Sequence, residues 1–229
     1  MKDLTGALNM LKGYEGNVPY MYLDTRGKVT VGVGFLLASA DDATKYAFYK
    51  NNASAFSSAV NAQTRTMPNP ALDVARPSVT DLPEPGIVTP MILGLQKATQ
   101  DEIKAEWANI KKQAAGQDAT YYKKFTSMKM LAGDIDSILT KNISSFEAEG
   151  KEVLPNWDDF ASPAQLALLD MIYNLGSLQG FPKLLAAAKK KDWAVCANEC
   201  HRDGPSQERN DDTKARFEAA AREQPFSTP

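Results

Sequence analysis

Residues 14–34 read YEGNVPYMYLDTRGKVTVGVG, and this stretch decides the fold. Just before it, Leu4, Leu8 and Leu11 recur at helical spacing, so residues 3–13 form a short amphipathic helix that stops around Gly13 and Gly16. Glu15 then lies just past a helix end. PYMYLD and KVTVGVG are β-type runs on either side of Thr25, Arg26 and Gly27, the composition of a hairpin turn. On the second strand Val29, Val31 and Val33 share one face, and Thr30, Gly32 and Gly34 share the other. A face of two glycines and a threonine adds little to a core and lets another molecule approach the backbone closely, as the wall of a cleft would.

Outward from the hairpin, Asp41 and Asp42 open a helix to about Val60, and residues 61–90 carry six prolines, the mark of a long irregular loop. Thr89 and Pro90 supply a cap and a first-turn proline for a helix to about Ala115, closed by Gly116. A further helix covers 128–149, with Met130, Leu131, Ile135, Ile138, Leu139, Ile143 and Phe146 on its buried side. Ser162-Pro163 repeats the cap and proline signal. The AQLALLDMIYNLG that follows is apolar almost all round, which suits the central buried helix of a helical lobe. Helices near 182–190 and 192–201 and a last one from Gln207 to about Arg222 complete the chain. The fold class is α+β and mostly helical: a small lobe with a β-hairpin, a larger all-helical lobe, and a substrate cleft between them. By residue, 1–60 hold the first helix, the hairpin and the helix after it; 61–127 are a proline-rich insertion with its own helix; 128–229 are the helical lobe of what is one domain overall.

Composition narrows the function. The 229 residues are 43% apolar and 24% charged, ordinary globular usage, and the formal charge of -2 sets up no positive field for nucleic acid. Nowhere do about 18 apolar residues run together, which argues against stable membrane insertion, and the opening MKDLTGALNM lacks a secretory h-region. Cys196 and Cys200 are two cysteines on one helix face, poorly directed for a bridge, so free thiols fit. With His201 they make C-x3-C-H, but zinc sites draw ligands from two elements, and no metal is assigned. The three lysines at 189–191 read as a solvated helix end, and Tyr121 and Tyr122 as packing in preference to sugar stacking.

Two carboxylates beside a glycine-faced hairpin suit cleavage of a glycosidic bond. That reaction needs an acid to protonate the leaving oxygen and a carboxylate to manage oxocarbenium-like charge or the attacking water. Glu15, against Tyr14 and Val18, is the better acid, because partial burial favours its protonated form; Asp24, at the turn beside Arg26, is the better carboxylate. The hydroxyl of Thr30 can hold a water. Glutamates after helices and aspartates before turns are commonplace, yet Glu-x8-Asp-x5-Thr arises by chance only about 0.05 times in a chain this long.

Glu15-Gly-x7-Asp24-Thr-x-Gly-x2-Thr30-x-Gly-x-Gly resembles the signature of the phage-type lysozymes, glycoside hydrolase family 24. LLDMIYNLG, GFPKLLAAAKKKDWAVCANE and RNDDTKAR are similar to that family's central helix, its following helix pair and its closing arginine-bearing segment, so the likeness covers roughly residues 3–40 and 128–223. It implies a muramidase, without a cofactor, cutting the β-1,4 bond between N-acetylmuramic acid and N-acetylglucosamine with inversion: Glu15 as general acid, Asp24 activating water or stabilising charge, Thr30 positioning the water. Gly32, Gly34, Asn174 and Arg209 fall on the substrate side, with Arg209 at the place of an arginine that pairs with the acid in some members. Phe35 stands where a histidine commonly follows the Gly-x-Gly, and residues 50–127 match nothing in the family pattern. Alternatives are a lytic transglycosylase or an inactive peptidoglycan-binding module. The partners implied are glycan strands, met by a monomer, with a delivery apparatus or an inhibitor protein where the chain is a bacterial antibacterial effector and not an endolysin. Either would reach the cell wall without a signal peptide, by a secretion machine or by holin-type release.

Overall fold

The computed structural model describes residues 1–51 and 94–224, in which helices outweigh two small antiparallel sheets. In chain order the elements are α1 (Leu4–Glu15), β1 (Val18–Leu23), β2 (Val29–Gly32), β3 (Phe35–Leu36), α2 (Ala40–Ala43), β4 (Tyr49–Asn51) and β5 (Leu95–Lys97). They continue with α3 (Gln100–Lys111), α4 (Ala119–Tyr122), β6 (Met128–Lys129), α5 (Ala132–Val153), α6 (Ser162–Leu175), α7 (Pro182–Lys189), α8 (Trp193–Glu199) and α9 (Gln207–Glu223). None of the described helices is long and apolar enough to cross a membrane. The chain divides into two compact units, one of residues 1–17 with those from Ile135 onward, the other of residues 18–134.

The helical unit is built around α6. Pro163 sits in its first turn, where a missing N–H is harmless, and Gly176 ends it in the left-handed conformation at φ 77°. Ser162 is the first helical residue and not the cap, a place taken by Ala161 without a side-chain bond. Between these ends Ala164, Ala167, Leu168, Leu169, Met171 and Ile172 are all buried, so α6 is the central helix its apolar sequence implied. Aromatic side chains close the core around it: Phe160 meets Trp193 edge-on at 4.9 Å, and Trp193 stacks on Phe217 at 6.3 Å. α1 packs on α6 through a buried face that includes Ala7 and Leu11. That burial makes the first helix part of the helical unit. Asp3 caps α1 by accepting from the Gly6 N–H at 2.7 Å, and the helix runs two residues past Gly13 to end at Gly16, φ 77°. Glu15 is therefore the last helical residue.

In the other unit β1, β2 and β3 form one sheet in that order, and β5, β4 and β6 form a second with β4 at its centre. α3 lies against β1 and β2: Trp107 donates its indole N–H to the Leu37 carbonyl at 2.9 Å, and Lys111 donates to the Gly27 carbonyl at 2.7 Å. Residues 94–134 are thus bound into the hairpin's own unit.

Five boundaries differ from the sequence reading. The helix opened by Asp41 stops at Ala43, and Tyr49–Asn51 pair as a strand with partners on both sides; the aromatic run at 46–49 suits that ladder better than a helix. The proline-rich stretch and Thr89-Pro90 lie outside the described residues. The next helix begins at Gln100, where Thr99 and Glu102 form a reciprocal capping box, and ends at Lys111, short of Ala115. Residues 128–129 are a strand paired with β4, so the long helix starts at Ala132 and extends to Val153.

Candidate active site

Glu15 is fixed by side chains from far along the sequence. Its Oε1 accepts from Arg209 Nη1 at 2.8 Å, and the Arg209 side chain is only 10% exposed. Arg209 reaches this position from the first turn of α9, capped by Ser206, whose hydroxyl accepts from the Arg209 N–H at 3.2 Å. Its remaining donors go to Asp170 of α6, Nε at 2.9 Å and Nη2 at 2.8 Å, both to Oδ1. The guanidinium also lies over the Tyr14 ring, 4.7 Å from its centre. Burial opposes the charge on Arg209, but Asp170 and Glu15 together outweigh it and hold its pKa above the ordinary arginine value.

Tyr14 is itself tied down. Its hydroxyl donates to Asp212 Oδ2 at 2.6 Å and accepts from Arg216 Nη1 at 2.9 Å. Burial and the Asp212 bond raise the phenol's pKa, with Arg216 acting the other way. The last turn of α1, which carries Glu15, is thus held to α9 by two adjacent residues. Pairing of Arg209 with the acid is what the lysozyme resemblance implied; with all three side-chain nitrogens engaged, Arg209 is a holder of Glu15 and not a free sugar contact.

Asp24 is held locally. It follows β1, and its Oδ1 accepts from the backbone N–H groups of Arg26 at 2.9 Å and Lys28 at 2.8 Å, while Gly27 N–H bonds the Asp24 carbonyl at 2.9 Å. It makes the turn, and no described group donates to its Oδ2. Thr30, on β2, is 4% exposed, and its hydroxyl donates to the Lys28 carbonyl at 3.1 Å. That bond leaves only the hydroxyl lone pairs for a water.

The glycines are placed differently from the strand wall that alternation implied. β2 ends at Gly32, and Thr30 and Val31 pair with Leu36 and Phe35, so residues 32–34 form a tight turn into β3. Gly32 at φ 65° and Gly34 at φ 73° lie where side chains are disfavoured, so glycine here serves the backbone. Gly32 is buried and Gly34 exposed; Phe35, in the place of the family's histidine, is buried at 5%. Asn174 is exposed on the last turn of α6, its amide open to solvent.

Asp170, Arg202 and Thr213 escaped the sequence reading. Asp170 is fully buried, and its Oδ2 takes a bond from Arg202 Nη2 at 2.7 Å and lies 3.0 Å from Thr213 Oγ1. Arg202, between α8 and α9, is 2% exposed and exchanges two bonds with the Asn210 amide through its own backbone. A signal was present: an aspartate within LLDMIYNLG, on a helix apolar all round, must be buried with a cation, and Arg202 and Arg209 lie in the one segment still to be packed.

The remaining sequence features are structural. Cys196 and Cys200 are buried free thiols, and burial pushes Cys196 up to about 12; His201 beside them is exposed. Among the described residues no three acidic, histidine or cysteine side chains gather as metal ligands. Tyr122 is fully buried with its hydroxyl on the Ala114 carbonyl at 2.7 Å, and Tyr121 packs on it edge-on at 5.2 Å. Two hollows have linings that include neither Glu15 nor Asp24. One, of about 220 Å³, is bordered by Tyr20, Tyr49 and Lys129; the other, of about 360 Å³, by Phe181, Asn198 and His201. Neither of these two presents a pair of carboxylates. Comparison with known proteins adds no relative: no family model, no curated protein and no solved structure matches this chain.

Proposed function

We propose that this chain is a lysozyme-like muramidase that hydrolyses the β-1,4 bond between N-acetylmuramic acid and N-acetylglucosamine in peptidoglycan. The observation that carries the reading is the Glu15–Arg209 pair. It engages the carboxylate read from the sequence as the acid, and fixes it at a helix end by an arginine 194 positions away. The hairpin supplies the second carboxylate with one oxygen anchored and the other uncommitted.

In this reading Glu15 delivers its proton from Oε2, the oxygen that Arg209 does not hold. The proton passes to the leaving glycosidic oxygen as the bond from that oxygen to the muramic C1 breaks. Water attacks C1 from the opposite side and gives its proton to Asp24 Oδ2, so the products are a free 4-hydroxyl and a reducing muramic end. Thr30 orients that water by accepting from it. The exposed Asn174 amide and the backbone at Gly34 contact sugar groups. Inversion requires about 6.5–9.5 Å between the two carboxyls, to admit the water.

The test is release of reducing ends from purified peptidoglycan by the wild type and by Glu15→Gln at equal folded concentration. Release by the wild type and background from the variant support the reading. A silent wild type, or a variant as active as its parent, overturns it.

A further inference from the structure

The cluster behind Glu15 has more parts than holding one carboxylate with one arginine requires. It contains two carboxylates, Glu15 and Asp170, and two guanidinium groups, Arg209 and Arg202, so its charges cancel. Asp170 and Arg202 are fully buried in their side chains. Every oxygen of Asp170 is committed: Oδ1 to Nε and Nη2 of Arg209, Oδ2 to Nη2 of Arg202 with Thr213 alongside. Arg209 could grip a carboxylate with two parallel bonds, which is the strongest geometry open to it. Asp170 takes the Nε and Nη2 edge on its single oxygen Oδ1, and Glu15 is left with Nη1 alone.

We propose that Asp170 and Arg202 are positioning residues for Glu15, Asp170 by dividing Arg209 between two carboxylates and Arg202 by balancing the charge that Asp170 brings into the core. The proposal rests on the reading of Glu15 as the acid. A guanidinium held wholly by Glu15 would keep it a carboxylate. One shared with a buried aspartate fixes the side chain in direction through a single bond and spends part of its charge elsewhere. Removing Asp170 leaves two cations against Glu15; removing Arg202 leaves two carboxylates on one cation. The two changes therefore act on Glu15 with opposite sign, which a purely structural role would not produce. The other ionisable groups around the cluster are Tyr14 with Asp212 and Arg216, and Lys12 on α1 with Asp136 of α5 at 2.5 Å. They are common to every variant below.

The experiment is the pH profile of kcat/KM on purified peptidoglycan, with the titration of the Glu15 carboxyl followed by 13C NMR in the same proteins. Asp170→Asn is expected to move the alkaline limb, and the Glu15 titration, about one pH unit lower. Arg202→Met is expected to move both about one unit higher, and the double variant to fall between the two single ones. Four profiles and four titrations at one position would overturn the proposal while leaving the muramidase reading intact. A wild type without lytic activity would sink that reading, and the opposed NMR shifts would still establish the control of Glu15. Should a single variant fail to fold, Asp170→Ala with Arg202→Met leaves no buried charge unmatched and also removes the acceptor that shares Arg209. It is expected to cut kcat about tenfold with little change in KM, and an unchanged kcat would overturn the proposal.

Discussion

The two carboxylates assigned to the chemistry are held in opposite ways. Asp24 is fixed by backbone N–H groups two and four residues along its own turn, whereas Glu15 is fixed by a side chain 194 residues away, itself fixed by another 39 residues from it. The first arrangement is made by local sequence alone. The second exists only once α1, α6 and α9 have packed. A local turn holds a carboxylate with dipoles, partly open to water; a buried ionic cluster holds one with full charges, in surroundings where an unmatched charge is costly.

Breaking the comparison at its catalytic end gives the largest effect. Glu15→Gln keeps an oxygen for Arg209 but has no proton to give, and turnover on peptidoglycan should fall by about 10^3-fold. Asp24→Asn retains a carbonyl oxygen for the Arg26 and Lys28 N–H groups, so the turn should survive while hydrolysis falls about 100-fold, with the thermal midpoint nearly unmoved. The converse holds in the cluster. Asp170→Ala strands Arg202 and Arg209 without their shared partner and should cost about 3–5 kcal/mol in denaturant unfolding, far more than Asp24→Ala at about 1 kcal/mol.

Gly32→Ala tests whether the glycines beside Thr30 serve the backbone. At φ 65° and buried, the added methyl should cost about 1–2 kcal/mol, and an unchanged stability would return Gly32 to the role of an open wall.

The smallest effect comes from a third carboxylate that sharpens the contrast. Glu106 of α3 is buried like Asp170 but meets no cation among the described residues; its Oε2 takes the N–H and hydroxyl of Ser127, each at 2.7 Å. Burial raises its pKa, and bonds from Ser127 and the Met128 backbone offset this only in part. For a carboxyl raised in the native state, stability is complete below the unfolded value of 4.5 and declines as pH climbs through the native one, since the unfolded chain ionises first. Glu106→Gln should therefore raise the thermal midpoint at about pH 7 and leave it unchanged at about pH 4.

The same division explains what could be read before the structure. The hairpin, the helices at Pro182–Lys189, Trp193–Glu199 and Gln207–Glu223, and the apolar helix α6 were legible because turn composition and periodicity act over a few residues. Glu15, Asp24 and Thr30 were marked by their spacing beside a glycine-faced hairpin. Thr30's bond to the Lys28 carbonyl and the turn at Gly32 and Gly34 were not legible: a strand's alternation does not reveal where the strand ends. The partners of Asp170 escaped for the deeper reason that a buried aspartate announces its need of a cation without saying which. Tyr49–Asn51 was read as helix because three residues are too few for their period to show, and its strand identity depends on neighbours near 96 and 128.

The central claim is that Glu15 and Asp24 work as an acid and a water-handling carboxylate on one glycosidic bond. Digestion of purified peptidoglycan in 18O-enriched water, with the products read by mass spectrometry, tests it most directly. The account predicts reducing muramic ends that carry one 18O, absent from the Glu15→Gln digest and strongly reduced with Asp24→Asn. Products ending in 1,6-anhydromuramic acid without 18O would contradict it, since the nucleophile would then come from the sugar and Asp24 would have no water to handle.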